Sequence, residues 1–302
     1  MKSRLLLSGA LLLLIVWQLD AGRILAQFAY IHPGWLLLAL ALTQLQAWLS
    51  AWRWRYTAQR LGLRLPVMQA VREYYLALFL NQVLPGGVLG DVSRAWRHAR
   101  TESRAGAAVC AVVVERASGQ LLIVLAVPLC QFAHPALLRH LPLPLYGLAT
   151  LAIVAGLAGL LAMARRSVWS ARLRPWWNDI RRSLFSAQAL PVQLLLSTAV
   201  LGCYVLIFWA VARGLGDTTA AIELMPLVPL LLLAMLVPIS FAGWGVREGA
   251  AAALWVLAGL DPAAGVAASI GYGVVVLCGS VPGAMVLWSR SNRYKRSSPS
   301  EN

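Results

Sequence analysis

Residues 81–94 read Asn81-Gln82-Val83-Leu84-Pro85-Gly86-Gly87-Val88-Leu89-Gly90-Asp91-Val92-Ser93-Arg94. Residues 238–249 read Pro238-Ile239-Ser240-Phe241-Ala242-Gly243-Trp244-Gly245-Val246-Arg247-Glu248-Gly249. Each window sits inside a long apolar stretch, about 67–100 and about 223–259, and breaks it near its middle. Pro85 ends a helix because it lacks a donor, and Gly86 and Gly87 permit the chain to reverse. The spacing Pro-x4-Gly-x3-Arg joins Pro85, Gly90 and Arg94, and it recurs at Pro238, Gly243 and Arg247. These two breaks decide how the rest of the chain is threaded.

Around them the composition is that of a membrane protein. Of 302 residues, 60% are hydrophobic and only 12% charged, with a mean hydropathy of +0.71. A soluble domain is about 45–50% apolar and about 25% charged, so too little charge is present to clothe a water-facing surface. A complete crossing takes about 20 apolar residues. Runs near 5–20, 34–52, 106–131, 142–164, 190–212 and 263–289 fit that requirement. Lys2 and Arg4 before Leu5–Leu19 resemble a signal peptide, but no small-x-small cleavage site follows, so a retained first span is expected.

The chain carries 26 Lys+Arg against 11 Asp+Glu, a net +15. With this hydropathy the excess reads as the positive-inside rule and not as a nucleic-acid surface. Threading the six spans in order leaves Arg23, Arg139 and Arg213 on one side of the membrane, and Arg72, Arg94, Arg116 and Arg247 at membrane depth. All the other basic residues share the opposite side, which places both termini in the cytoplasm. The count closes only if the interrupted stretches enter and leave on one side, as hairpins from opposite faces. Non-helical backbone at that depth must be buried in protein or line a wet cavity.

The expected fold is therefore an all-α polytopic membrane protein, with six full spans plus two oppositely oriented re-entrant helical hairpins in an inverted repeat. Repeat one covers about 1–133 and repeat two about 140–290, within a single transmembrane domain 1–290, followed by a disordered cytoplasmic tail 291–302. Inverted repeats with broken helices are the pattern of secondary transporters. The longest connection, about 165–189, holds Trp169, Trp176 and Trp177 among arginines and reads as an interfacial amphipathic helix.

In the first hairpin, Asp91 or Ser93 is placed to cap the returning helix, and free N–H groups with Arg94 one turn on would form an anion site. A tight turn with Arg94 snorkelling to the interface is the alternative. Arg247 and Glu248 are either a site or a structural pair, Arg247 with Glu248 or with Asp91. Glu115 and Arg116 are adjacent on a helix and point apart, so Glu115 is expected to aim at a hairpin arginine or to lock the bundle. Arg72 and Glu73 read as interfacial, and Gln44 and Gln46 as hydrogen bonds across helices. Cys110, Cys130, Cys203 and Cys278 are scattered through apolar segments, which gives neither a disulfide framework nor a metal motif. No cofactor is indicated.

At the two hairpins the chain resembles the lysylphosphatidylglycerol synthase transmembrane family, the flippase-like membrane regions best known from the multiple peptide resistance factor. The resemblance runs through Asn81, Pro85, Gly86, Gly90, Asp91 and Arg94, then through Pro238, Ser240, Gly243, Gly245, Arg247 and Glu248. Pro-x-Ser-x2-Gly-x-Gly-x-Arg-Glu is the more specific of the two. The resemblance covers about 5–289 and implies a multi-pass protein of the bacterial inner membrane that moves phospholipids or polyprenyl-linked lipids between leaflets. The family's full-length resistance factor is resembled only in its membrane half, so synthesis of lysylphosphatidylglycerol is not expected.

The functional expectation is a lipid flippase or transporter and not an enzyme. Asn81, Asp91, Arg94, Glu115, Ser240, Arg247 and Glu248 would bind the lipid, and Pro85, Gly86, Gly90, Pro238, Gly243 and Gly245 would shape the hairpins. Partners expected are membrane lipids with phosphate head groups, with a homo-oligomer or a lipid-synthesising enzyme as further candidates and no nucleic acid. The rivals are a membrane-embedded transferase acting on a lipid-linked substrate, a non-transporting accessory subunit, and a transporter of soluble anions.

Overall fold

The structure, a computed structural model, describes residues 21–29, 31–84, 87–133, 174–235 and 243–297. The regular structure of these residues is helical, with no strand among them. In chain order the helices are α1 (Ala21–Ala26), α2 (Pro33–Arg60), α3 (Val67–Val83), α4 (Leu89–Thr101), α5 (Ala105–Ala133) and α6 (Arg174–Ile180). A π-helical turn, Arg181–Phe185, leads to α7 (Leu190–Gly214). Then follow α8 (Ala221–Leu224), α9 (Leu227–Ala234), α10 (Val246–Leu257), α11 (Pro262–Gly279) and α12 (Val281–Ser297).

Among the described residues, four stretches are long and apolar enough to cross a membrane: Pro33–Arg60, Ala105–Val127, Leu190–Gly214 and Pro262–Ser289. The expected spans at 5–20 and 142–164 lie outside the described residues, as do Pro85, Gly86, Pro238 and Ser240. The last span is divided. Helix α11 ends at Gly279 and α12 starts at Val281, where Pro282 removes a donor. Helix α12 then continues to Ser297, past Ser291 where the sequence reading starts a disordered tail. Between 165 and 189 the described part, from Arg174, is the short α6 with a π-helical turn and not one long helix.

Helix starts follow local chemistry. Pro33 and Pro262 occupy the first helical turn, where a missing N–H costs nothing. Asp261 caps α11, its side chain accepting from the Ala263 N–H at 3.1 Å. Each interrupted stretch folds back on itself, α3 against α4 and α9 against α10. At Gly90 the first hairpin closes so tightly that a Cβ would collide with the Ala77 carbonyl oxygen. In the second, Gly243 and Gly245 both hold φ +86°, a left-handed backbone that favours glycine.

The interior has two apolar cores. One gathers Ile207, Phe208, Leu227, Leu231, Trp255 and Tyr272 from α7, α9, α10 and α11. The other gathers Trp54, Val71, Tyr74, Val112 and their neighbours around α2, α3 and α5. Helices α2 and α7 pack along each other and join the two. The buried charges lie along this seam.

Candidate functional site

Helix α2 brings a polar stripe to the seam. Thr43, Gln46, Ser50, Arg53 and Thr57 recur at helical spacing and are all buried. Helix α7 answers with Gln193 and Ser197, also buried. Gln46 donates to Ser50 Oγ at 2.9 Å and to Tyr204 Oη at 3.1 Å, and Gln193 donates to Thr57 Oγ1 at 2.9 Å. Arg53 donates to Ser197 Oγ at 3.0 Å and pairs with Glu115 Oε1 at 2.6 Å. The sequence reading counts Arg53 among the cytoplasmic flanking charges. It is instead a core residue, because α2 runs on to Arg60, two turns beyond the apolar window.

Glu115 joins this arginine to the first hairpin. Its Oε2 lies 2.5 Å from Arg94 Nη2, so one fully buried carboxylate serves two arginines. Arg94 is also fully buried and donates from Nε to Asp91 Oδ1 at 2.9 Å. Its guanidinium lies between the rings of Tyr74 and Trp54, at 4.7 and 4.8 Å from their centroids. Cation–π contacts of this kind contribute about 0.5–2 kcal/mol each. Asp91 Oδ2 accepts from Asn81 Nδ2 at 2.9 Å and from Arg116 Nη2. Asn81 Oδ1 in turn accepts from the Gly90 N–H at 2.8 Å.

That geometry differs from the expected capping at the start of α4. Neither Asp91 nor Ser93 caps the helix. Asn81 takes the Gly90 N–H, Asp91 turns to the arginines, and Ser93 donates back to the Gly90 carbonyl at 2.6 Å. Glu73 is buried and pairs with Arg97 at 2.6 Å, whereas Arg72 beside it is exposed.

The second hairpin is built locally. Glu248 Oε2 accepts from the Gly245 N–H at 2.6 Å and so caps its own helix. Its Oε1 accepts from Arg247 Nη2 at 2.7 Å and from Ser269 Oγ at 3.0 Å. Arg247 Nε reaches Ser269 Oγ at 2.9 Å, and the guanidinium lies 5.0 Å from the Trp244 ring and 5.3 Å from that of Tyr272. Of the two partners weighed for Arg247, Glu248 is the one it takes.

Both hairpins open onto one cavity of about 760 Å³. Asn81 and Asp91 reach it from the first, Gly243 and Arg247 from the second, and Arg53 and Arg116 from α2 and α5. Val88, Val92, Val112, Val113, Leu232 and Val276 supply apolar wall. Arg94, Glu115 and Glu248 are not part of its lining; they stand behind it and hold the residues that are. The cation most open to the cavity is Arg116, whose side chain is 36% exposed with only Nη2 engaged by Asp91. Sequence reasoning placed Arg116 at depth and gave it no site role; its signal was a lone cation in an apolar span.

Charge around the cavity does not cancel. Arg53, Arg94, Arg116 and Arg247 face Asp91, Glu115 and Glu248, which leaves one positive charge over. Arg53 Nε, Arg94 Nη1 and Arg116 Nε are buried without a hydrogen-bond partner. Donors in excess of acceptors, with one surplus charge, complement a monoanion. Among the described residues no group of His, Cys, Asp and Glu is arranged to hold a metal ion.

No curated protein matches the chain. The family described as the lysylphosphatidylglycerol synthase TM region matches residues 3–283, nearly the whole length and both hairpins, and the chain belongs to that family of multi-pass membrane proteins.

Proposed function

We propose that the protein moves an anionic or aminoacylated phospholipid, or a polyprenyl-linked lipid, between the leaflets of the bacterial inner membrane, with both termini in the cytoplasm. The observation that carries this reading is the single cavity shared by two broken-helix hairpins, apolar along much of its wall and charged by one surplus arginine. A phosphate fits Arg116 and Arg247, with Asn81, also in the cavity wall, as a neutral hydrogen-bonding group. Val88, Val92, Trp96 and Val113 line the cavity and are exposed, an apolar edge along which acyl chains would extend while the head group enters. Hairpins inserted from opposite faces would let each leaflet reach the site in turn. Moving a lipid requires no bond to be made or broken, and the buried carboxylates Asp91, Glu115 and Glu248 are all occupied by arginines and not held free as a general base.

The test is leaflet exchange of labelled phosphatidylglycerol and lysylphosphatidylglycerol in proteoliposomes. Intact protein is expected to exchange at least one of them. Arg116→Gln and Arg247→Gln are expected to slow exchange at least tenfold while the protein stays folded. Full exchange in both variants would overturn the site; folded intact protein with no exchange of either lipid would overturn the transport reading.

A further inference from the structure

A second cavity, of about 350 Å³, lies at the base of the first hairpin, at the end away from its turn. Gln69 and Glu73 from the start of α3, Arg97, His98, Arg100 and Thr101 from the end of α4, and Trp54 from α2 line it. It is separate from the central cavity and shares only Trp96 with it.

Two of its unpartnered buried atoms are donors only, and the ring nitrogens of His98 are unpartnered as well. Trp54 is fully buried, and its Nε1, which can only donate, has no partner. Arg97 commits Nε to Glu73, and its buried Nη2, another donor, is also unpartnered. Arg100 is exposed and stacks on the Trp96 ring at 4.8 Å. His98 is buried with neither ring nitrogen hydrogen-bonded; the carboxylate near it is Glu102, at 3.6 Å from Nε2. Thr101 has already given its hydroxyl proton to the His98 carbonyl. Glu73, the one carboxylate in the wall, is engaged by Arg97. A buried donor left unmade costs about 1–3 kcal/mol. Two of them beside the exposed Arg100 suit a ligand rich in acceptors.

We infer that this basal cavity is a second phosphate-binding site, distinct from the central one, with Arg97, Arg100 and Trp54 Nε1 as its donors. Trp54 stands between the basal cavity and the buried Arg94. One contact of its ring is with the Arg94 guanidinium of the central network, and another, edge to face at 5.5 Å, is with His98. A phosphate bound at the base therefore lies one indole away from the buried charges. The same chemistry suits a lipid head group or free phosphate.

Native mass spectrometry of the detergent-solubilised protein, titrated separately with dihexanoyl phosphatidylglycerol and with inorganic phosphate, tests this. The Arg116→Gln background removes the central site, so that what remains reports the base. Binding of one probe molecule is expected to persist there. Arg100→Gln, on the surface, is expected to weaken it about tenfold, the loss of one charge-assisted contact. Glu73→Gln with Arg97→Gln, which removes a buried pair together, is expected to abolish it. Persistence with the lipid alone identifies a head group, and persistence with both probes identifies phosphate itself. No binding in the Arg116→Gln background, or binding unchanged by both basal variants, overturns the second site. Neither result touches the leaflet-exchange assay, so the two readings fail separately.

Discussion

The two hairpins share a spacing and differ in almost everything that the spacing was expected to fix. In the first, Gly90 is helical and provides close approach to Ala77, and Arg94 lies well inside α4. In the second, Gly243 precedes the helix in a left-handed turn, and Arg247 is in the first turn of α10. The first arginine pairs with Asp91 of its own helix, draws further partners from three other helices, and is sealed from the cavity. The second is satisfied by its sequence neighbour Glu248 and by Ser269, and it faces the cavity. A repeated motif can thus place a cation at two equivalent points of a sequence and give it a structural duty at one and an exposed one at the other.

The contrast breaks most visibly at the carboxylates. Glu115→Gln leaves Arg53 and Arg94 buried around a neutral group, and removing one partner from a buried pair costs about 3–5 kcal/mol. Glu248→Gln removes a cap and one partner, but Arg247 retains Ser269, two aromatic faces and access to the cavity. About half that cost is expected. Thermal unfolding of both variants in the same detergent checks the ranking. Equal losses would mean that the second hairpin is no more self-contained than the first.

The glycines sharpen the contrast at smaller scale. Gly90→Ala drives a methyl into a carbonyl that belongs to helix backbone, and overpacking of this kind costs about 1–3 kcal/mol. Gly245→Ala asks an L residue to hold φ +86°, a sparsely populated backbone conformation that costs about 1–3 kcal/mol. Separation of α3 from α4, read by cross-linking between engineered cysteines on the two helices, should change in the first variant and not in the second.

Much of this was legible in the sequence. The apolar runs located α2, α5 and α7, because a stretch of about 20 apolar residues has few alternatives to a helix. The Pro and Gly breaks marked both hairpins, and Glu115 and Arg247 announced themselves as charges with nowhere wet to go. Two things were not legible. Arg53 looked like a flanking charge because hydropathy fades gradually at a helix end. Only the stripe Gln46, Ser50, Arg53, Thr57 shows that this helix keeps a buried polar face beyond the apolar window. The division of labour between Arg94 and Arg116 was hidden for another reason. Which of two arginines faces a cavity depends on how α4 and α5 are rotated against each other, and spacing within one helix carries no information about its neighbour.

The smallest expected effect concerns how each returning helix is capped. Helix α4 borrows its cap from across the hairpin, Asn81 Oδ1 on the Gly90 N–H, whereas α10 is capped from within by Glu248 on the Gly245 N–H. Asn81→Ala should therefore cost about 1 kcal/mol. More tellingly, it should loosen a junction between elements and not a single turn. Asn81 Nδ2 also steadies Asp91, the carboxylate that holds Arg116 beside the cavity. Amide hydrogen exchange is expected to quicken at Gly90 and its neighbours in α4, with the first turn of α10 unchanged. If exchange rises at neither helix, the Asn81 bond adds nothing that the close contact at Gly90 does not already supply. If leaflet exchange falls along with protection at α4, the cap reaches the cavity through Asp91, and the first hairpin acts on the site by holding Arg116 in place.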